Sequence, residues 1–105
     1  MRYLINTPVL TAYGSYRFSG PLALDEVQRR LDQEYTSAIG HQGTARLLTR
    51  LLGREVAANR IAIAMQPGDE AIVLKLETRL PEGAVLDAAA LARIPFEFGL
   101  LERLA

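Results

Sequence analysis

The sequence predicts a single α+β domain with a mixed β-sheet, a central antiparallel hairpin and about three helices. Three observations support this fold class. The 105 residues suit one hydrophobic core, so we assign 1–105 to a single domain. Half of the residues are apolar and 23% are charged, which is the balance of a globular chain. Segments with a two-residue apolar period are intermixed with segments at helical spacing, and the hairpin argues against an all-parallel sheet.

The first half of the chain predicts three strands and two helices. The first strand ends ahead of Pro8, which has no N–H to donate. Asp25 followed by Gln28 resembles a capping box at the start of the first helix, and Gly53 suits the position just after the second. The predicted elements cover residues 3–5, 16–18, 25–34, 36–39 and 44–52.

The second half predicts a hairpin, a helix and a last strand. Apolar residues alternate along 61–65 and 72–77, and the Pro-Gly-Asp sequence at 67–69 supplies turn chemistry between them. After the hairpin we expect a loop, a short helix that ends before a proline, and a final strand. Their predicted positions are 79–83, 87–94 and 96–100.

Composition argues against several classes of protein. There is no cysteine, and hence no disulfide framework or cysteine metal site. We find no signal-like segment and no run of about 18 apolar residues, so we expect a cytoplasmic protein that makes no use of membranes. Twelve basic residues balance twelve acidic ones, which argues against binding of duplex nucleic acid through a broad basic face.

His41 is the only histidine and the first candidate for chemistry. It lies between Gly40 and a predicted helix N-terminus, where unpaired N–H groups favour anions. Imidazole beside a phosphate could protonate a leaving oxygen as a general acid. The alternative is a histidine that merely helps to cap the second helix.

Arg79 and Glu82 form a second constellation at the end of the predicted hairpin. The arginine could stabilise charge on a phosphate, and the glutamate could orient the histidine or the arginine. The alternative is a solvated loop with a surface ion pair. One histidine without cysteine does not suit zinc, and no acidic cluster or nucleotide-binding glycine motif is present. We therefore expect neither a metal nor a cofactor.

Five short motifs then occur in a characteristic order. In order and spacing they resemble the small ring nucleases first met as viral anti-CRISPR proteins of type III systems, which have bacterial relatives in CRISPR loci. The resemblance covers essentially the whole chain. The motifs are NTPVLTAYG at 6–14, SAIGH at 37–41, NRI at 59–61, RLPEG at 79–83 and IPFEF at 94–98.

The resemblance implies a function and a site. Such proteins are homodimers that bind cyclic tetra-adenylate across the subunit interface. They cut it without metal into linear di-adenylates with 2′,3′-cyclic phosphate ends, which switches off type III CRISPR effectors. By resemblance the catalytic residues are His41, Arg79 and Glu82. The implied ligand contacts are Asn6, Val9, Thr11, Gly40, Arg60 and Lys75.

Two other classes of function stay open at this stage. One is a dimer that binds and sequesters the cyclic nucleotide without cutting it. The other is a structural or DNA-binding dimer, which the neutral net charge disfavours.

Overall fold

The computed structural model describes residues 1–6, 12–76 and 96–105. Within these ranges the chain forms five strands and two helices. In chain order they are β1 (Arg2–Ile5), β2 (Tyr16–Leu22), α1 (Leu24–Leu31), β3 (Thr36–Ser37), α2 (Gln42–Leu52), β4 (Glu70–Leu76) and β5 (Phe96–Arg103). The α+β class with a mixed sheet is thereby confirmed. The predicted third helix, at 87–94, lies outside the described residues.

All five strands belong to one sheet, in the order β2-β5-β4-β1-β3. The central strand, β4, runs parallel to β1, and β1 runs parallel to β3. On the other side β5 is antiparallel to both β4 and β2. The carboxyl ends of β1, β3 and β4 therefore meet at one edge of the sheet, which we call the carboxyl edge. The opposite edge, where these three strands begin, is the amino edge.

Alternation along the strands divides the core between the two faces of the sheet. Leu4, Ile72 and Leu74 point to one face and are fully buried against α1 and α2. The helices add Val27, Leu31, Leu47, Leu48 and Leu52 to this cluster, and burial of each such side chain contributes about 1.5–3 kcal/mol. The opposite face carries a smaller cluster of Ile5, Met65, Ala71, Val73 and Leu101.

The helix ends agree with the sequence in one case and differ in the other. Gly53 follows α2 with a φ of 66°, the left-handed conformation expected there. The predicted capping box is wrong, because α1 begins after Ala23 and has no side-chain cap. Asp25 instead lies in the first turn, where a carboxylate favours the positive end of the helix dipole. Gln28 donates from Nε2 to the carbonyl of Leu52 at 3.2 Å, and so serves the end of α2.

The predicted hairpin is also wrong. Residues 61–65 form no strand, and the antiparallel partner of β4 is β5. Ile63 and Met65 pack on the face of the sheet that the helices leave free, whereas Ile61 is 43% exposed. A segment that lies across a sheet and buries alternate side chains has the same two-residue period as a paired strand. The period therefore reported one-sided burial and not strand pairing.

The Pro-Gly-Asp turn is real and leads into β4. Gly68 has a φ of 93°, and the N–H of Asp69 donates to the carbonyl of Gln66 at 2.9 Å. In return the N–H of Gln66 donates to the Asp69 carboxylate at 2.9 Å. The turn thus brings the chain back to the amino edge of the sheet, where β4 begins.

Candidate functional site

The carboxyl edge gathers the predicted site residues that the structure describes. Asn6 directly follows β1, Gly40 and His41 come between β3 and α2, and Lys75 is the second-last residue of β4. Ligands of open α/β sheets commonly bind outside the carboxyl ends of parallel strands. Four other predicted residues, Val9, Thr11, Arg79 and Glu82, lie outside the described residues.

Hydrogen bonds hold the segment before Arg60 against the segment after β3. The N–H of Asn59 donates to the carbonyl of Ile39 at 2.7 Å, and its Nδ2 donates to the carbonyl of Ser37 at 2.8 Å. The Ser37 hydroxyl donates to the carbonyl of Ala57 at 2.8 Å. Two of the sequence motifs, SAIGH and NRI, are therefore joined in space. Asn59 thus holds the two motifs together, a role that no local sequence pattern predicts.

Arg60 packs over Gly40 as a result. A Cβ built on Gly40 would lie 3.6 Å from both Cγ and Nε of Arg60, which is ordinary van der Waals contact. The Arg60 side chain is exposed, and within the described part of the chain no carboxylate pairs with it. The guanidinium of Arg60, unpaired among the described groups, thus lies beside the turn that leads into α2.

His41 occupies the position just before α2. Its backbone is extended, with a φ of −113° and a ψ of 124°, and its carbonyl accepts the N–H of Ala45 at 3.0 Å. The imidazole makes no capping hydrogen bond, so the capping alternative describes the backbone of His41 and not its side chain.

Both ring nitrogens of His41 are shielded from solvent. Each exposes less than 1 Å² and has no hydrogen-bond partner among the groups that the structure describes. A buried polar group without a partner costs about 1–3 kcal/mol, and most native proteins avoid it. An imidazole kept in this state beside a helix N-terminus is a strong candidate for a group that meets a ligand.

Lys75 lies in a different setting, on the sheet face opposite the helices. Its ammonium is 4.0 Å from a carboxylate oxygen of Glu97 and 6.0 Å from the centroid of the Phe18 ring. These three side chains border a cavity of about 200 Å³. Phe18 and Glu97 were missed from the sequence, because they join Lys75 only through the pairing of β5 with both β2 and β4.

A larger cavity, of about 490 Å³, is lined by α2, from Gln42 to Arg50, and by residues 55–58. Arg46, Arg50 and Glu55 border it. Across the described ranges no three histidine, aspartate or glutamate side chains come close enough to hold a metal ion. In the same ranges no helix has the length and hydropathy to cross a membrane.

At the amino edge, Asp69 has a shifted pKa. Burial raises the pKa of Asp69, but three groups outweigh it: the N–H of Gln66, the amino group of Met1 and the guanidinium of Arg103. The pKa of Asp69 therefore lies below its ordinary value of 3.8. This carboxylate is part of the structure of the turn.

Comparison with known proteins places the chain among viral and bacterial relatives. The family model described as STIV B116-like matches residues 2–98. Uncharacterized protein 26 of Sulfolobus islandicus filamentous virus (isolate Iceland/Hveragerdi) is 32% identical over 107 residues, covering 97% of this chain and 91% of the relative. Uncharacterized protein YddF of Bacillus subtilis (strain 168) is 36% identical over 103 residues, covering 95% of this chain and 94% of the relative.

A solved structure shares the fold. B116 of Sulfolobus turreted icosahedral virus (STIV) superposes with a TM-score of 0.76 at 23% identity, covering 97% of this chain and 98% of that one. Because the family model spans most of the chain and the relatives exceed 30% identity over nearly its full length, the chain belongs to the STIV B116-like family.

Proposed function

We propose that this chain is a metal-independent ring nuclease. It binds cyclic tetra-adenylate across a homodimer and cuts it to linear di-adenylates with 2′,3′-cyclic phosphate ends, which switches off type III CRISPR effectors. The observation that carries the proposal is the imidazole of His41, shielded and unpartnered among the described groups at the start of α2.

The chemistry needs little beyond orientation and one acid. In the proposed reaction the ribose 2′-oxygen attacks the adjacent phosphorus, and the bond to the 5′-oxygen breaks. The 2′-hydroxyl proton passes to solvent, and His41 protonates the departing 5′-oxygen. Holding the attacking and leaving oxygens in line can contribute about 7–11 kcal/mol. A nucleophile within the substrate removes the need for a metal-bound hydroxide.

The carboxyl edge offers groups suited to phosphate. The N-terminus of α2 directs unpaired N–H groups and a partial positive charge toward the residues that precede it. Arg60 adds a guanidinium beside Gly40. The proposal also assigns Asn6 and Lys75 to the ligand. These groups let a protein with no net charge bind a polyanion.

The proposal gives roles to four further residues by resemblance. Arg79 stabilises the crowded phosphorane, and Glu82 holds His41 or Arg79 in place. Val9 and Thr11 contact the ring. In chain order, Val9 and Thr11 come soon after β1, and Arg79 and Glu82 come soon after β4.

A two-fold dimer suits a ligand with its own symmetry. Each protomer then presents the same groups to opposite phosphates, and two cuts give two identical halves. This explains why the expected product is di-adenylate.

Product analysis tests the proposal. Purified protein is incubated with cyclic tetra-adenylate in excess EDTA, and the products are identified by mass spectrometry. We expect linear di-adenylate with cyclic phosphate ends. Bound but intact ring would instead indicate the sequestering dimer. Loss of cleavage that one divalent ion restores would contradict the mechanism. Salt-dependent binding of a DNA duplex, without ring binding, would favour the DNA-binding class.

A further inference from the structure

The face of the sheet opposite the helices carries an exposed aromatic ring that the proposed mechanism does not use. Phe18, on the edge strand β2, is 46% exposed. Its ring rests directly on the backbone of β5, because a Cβ on Gly99 would lie only 2.5 Å from Cε1 of Phe18 and 2.8 Å from its Cζ. Gly99 is thus required for this packing of the ring. The Phe18 ring also borders the cavity of about 200 Å³, and we call the ring and this cavity the platform.

Two opposite charges stand at the border of this platform. The Lys75 ammonium lies 6.0 Å from the ring centroid, within the range of a cation–π contact. The Glu97 carboxylate is 4.0 Å from the same ammonium, and both side chains are about half exposed. The cavity therefore combines a π-surface, a cation for phosphate and a hydrogen-bond acceptor.

One residue of the platform, Lys75, lies near the carboxyl end of β4. Lys75 belongs to β4, which neighbours the strand that precedes Asn6. The strand that precedes Gly40 is β3, which lies beyond β1 and is roughly 10 Å from β4 at the usual strand spacing. A ligand with several nucleotides can span this distance.

We infer that Phe18, Lys75 and Glu97 form a subsite for an adenine base of the bound nucleotide. The inference rests on the proposed function and names what that site recognises. The base stacks on the Phe18 ring, and the Glu97 carboxylate accepts a hydrogen bond from the exocyclic amino group of adenine. Lys75 pairs with the adjoining phosphate.

Stacking is tested by Phe18→Leu, which keeps an apolar cover over Gly99 but removes the π-surface. We expect the Kd for cyclic tetra-adenylate to rise about tenfold, and Phe18→Trp to restore wild-type affinity. Leu104→Ala, at another exposed apolar position, is the control and should leave the Kd unchanged. Wild-type binding by folded Phe18→Leu would overturn the subsite and leave the ring-nuclease proposal standing.

Base recognition is tested at Glu97. Wild-type protein should bind cyclic tetra-adenylate more tightly than cyclic tetra-inosinate, which carries an oxygen in place of the amino group. Glu97→Gln can donate to that oxygen and should narrow the preference at least about threefold. If Glu97 were purely structural, Glu97→Gln would leave the preference for cyclic tetra-adenylate unchanged. That result would contradict a hydrogen bond between the carboxylate and the base.

Adenosine 5′-monophosphate decides the subsite even if the ring does not bind. In that case the proposed function fails, and an NMR titration of wild-type protein tests the platform alone. We expect shifts at the amides of Phe18 and Gly99 with adenosine 5′-monophosphate and not with ribose 5-phosphate. The absence of shifts with the nucleotide, or equal shifts with both, would overturn the inference.

Discussion

The two edges of the parallel strands differ in how their polar groups are satisfied. At the amino edge, Asp69 accepts from the amino group of Met1 at 3.1 Å and from the N–H of Gln66. Arg2 pairs with Glu70 and also donates to Gln33 at 3.1 Å. Arg103 donates to carbonyl groups of the chain, including that of Tyr13 at 2.9 Å.

At the carboxyl edge two described side chains lack such partners. His41 has two shielded nitrogens without partners in the described ranges, and Arg60 has no ion pair there. Both edges are built from the ends of the same strands, so strand geometry does not cause the difference. Under the proposed function, the amino edge stabilises the fold and the carboxyl edge binds the ligand. Substitutions at the two edges separate these two roles.

The largest effect is expected at His41. If it is the general acid, His41→Ala lowers the single-turnover rate by about 10²–10⁴-fold, the usual reach of such a group. Ring affinity should persist, because the α2 N-terminus and the arginines remain. The Tm should not fall appreciably, because the imidazole makes no hydrogen bond in the described structure. A variant that cleaves at the wild-type rate would reduce His41 to a structural residue.

A smaller loss of rate is expected at Arg79. Arg79→Ala removes charge stabilisation that is made mainly in the transition state, and we expect about 10²–10³-fold slower chemistry with a lesser change in affinity. Glu82→Ala should be slow as well. Single-turnover rates and Kd values measured side by side provide the check. Two variants indistinguishable from wild type would exclude both residues from the mechanism.

Arg60 and Arg17 form a matched pair that compares the edges directly. Both arginines are exposed, but Arg17 lies near the start of β2, in register with Glu102 at the amino edge. Arg60→Ala should raise the Kd for the ring about tenfold through loss of a charge-assisted hydrogen bond. Arg17→Ala should leave the Kd unchanged. Equal effects of the two variants would mean that only net charge matters.

Asp69 should affect stability and not cleavage. Asp69→Asn removes the charge that accepts hydrogen bonds from Gln66 and the Met1 amino group, and we expect it to lower the free energy of unfolding by about 1–3 kcal/mol. Because the folded pKa lies below the ordinary value of 3.8, the contribution is complete above that value and is lost as the pH falls through the folded pKa. Denaturant melts between about pH 2 and pH 6 should therefore show a smaller acid-induced loss of stability in Asp69→Asn than in wild type. Equal acid-induced losses would remove Asp69 from the account.

Local signals predicted much of the fold. The apolar spacing in α2 predicts a helix, and the glycine after it predicts where the helix ends. Each of these signals is local in the sequence. The alternation in 61–65 misled, because one-sided burial and strand pairing share a period. The pairing of β4 with β5 joins segments separated by 19 residues, so no short-range pattern encodes it.

The site residues also differ in whether local sequence predicts them. His41 could be found because a lone histidine between a strand and a helix is a local feature. The hydrogen bonds of Asn59 to Ser37 and Ile39 cross 20 or more residues, and they appear only once the chain is folded. Phe18 and Glu97 meet Lys75 through three paired strands, which the sequence does not specify locally.

Chemical-shift mapping with a non-cleavable analogue of cyclic tetra-adenylate tests the contrast between the edges most directly. We expect the backbone amides of Asn6, Gly40 and His41 to shift on binding, together with those of Arg60 and Lys75. The amides at the amino edge, at Arg2, Asp69 and Arg103, should remain in place. Shifts concentrated at the amino edge, or no shifts at the carboxyl edge under saturating analogue, would contradict the account.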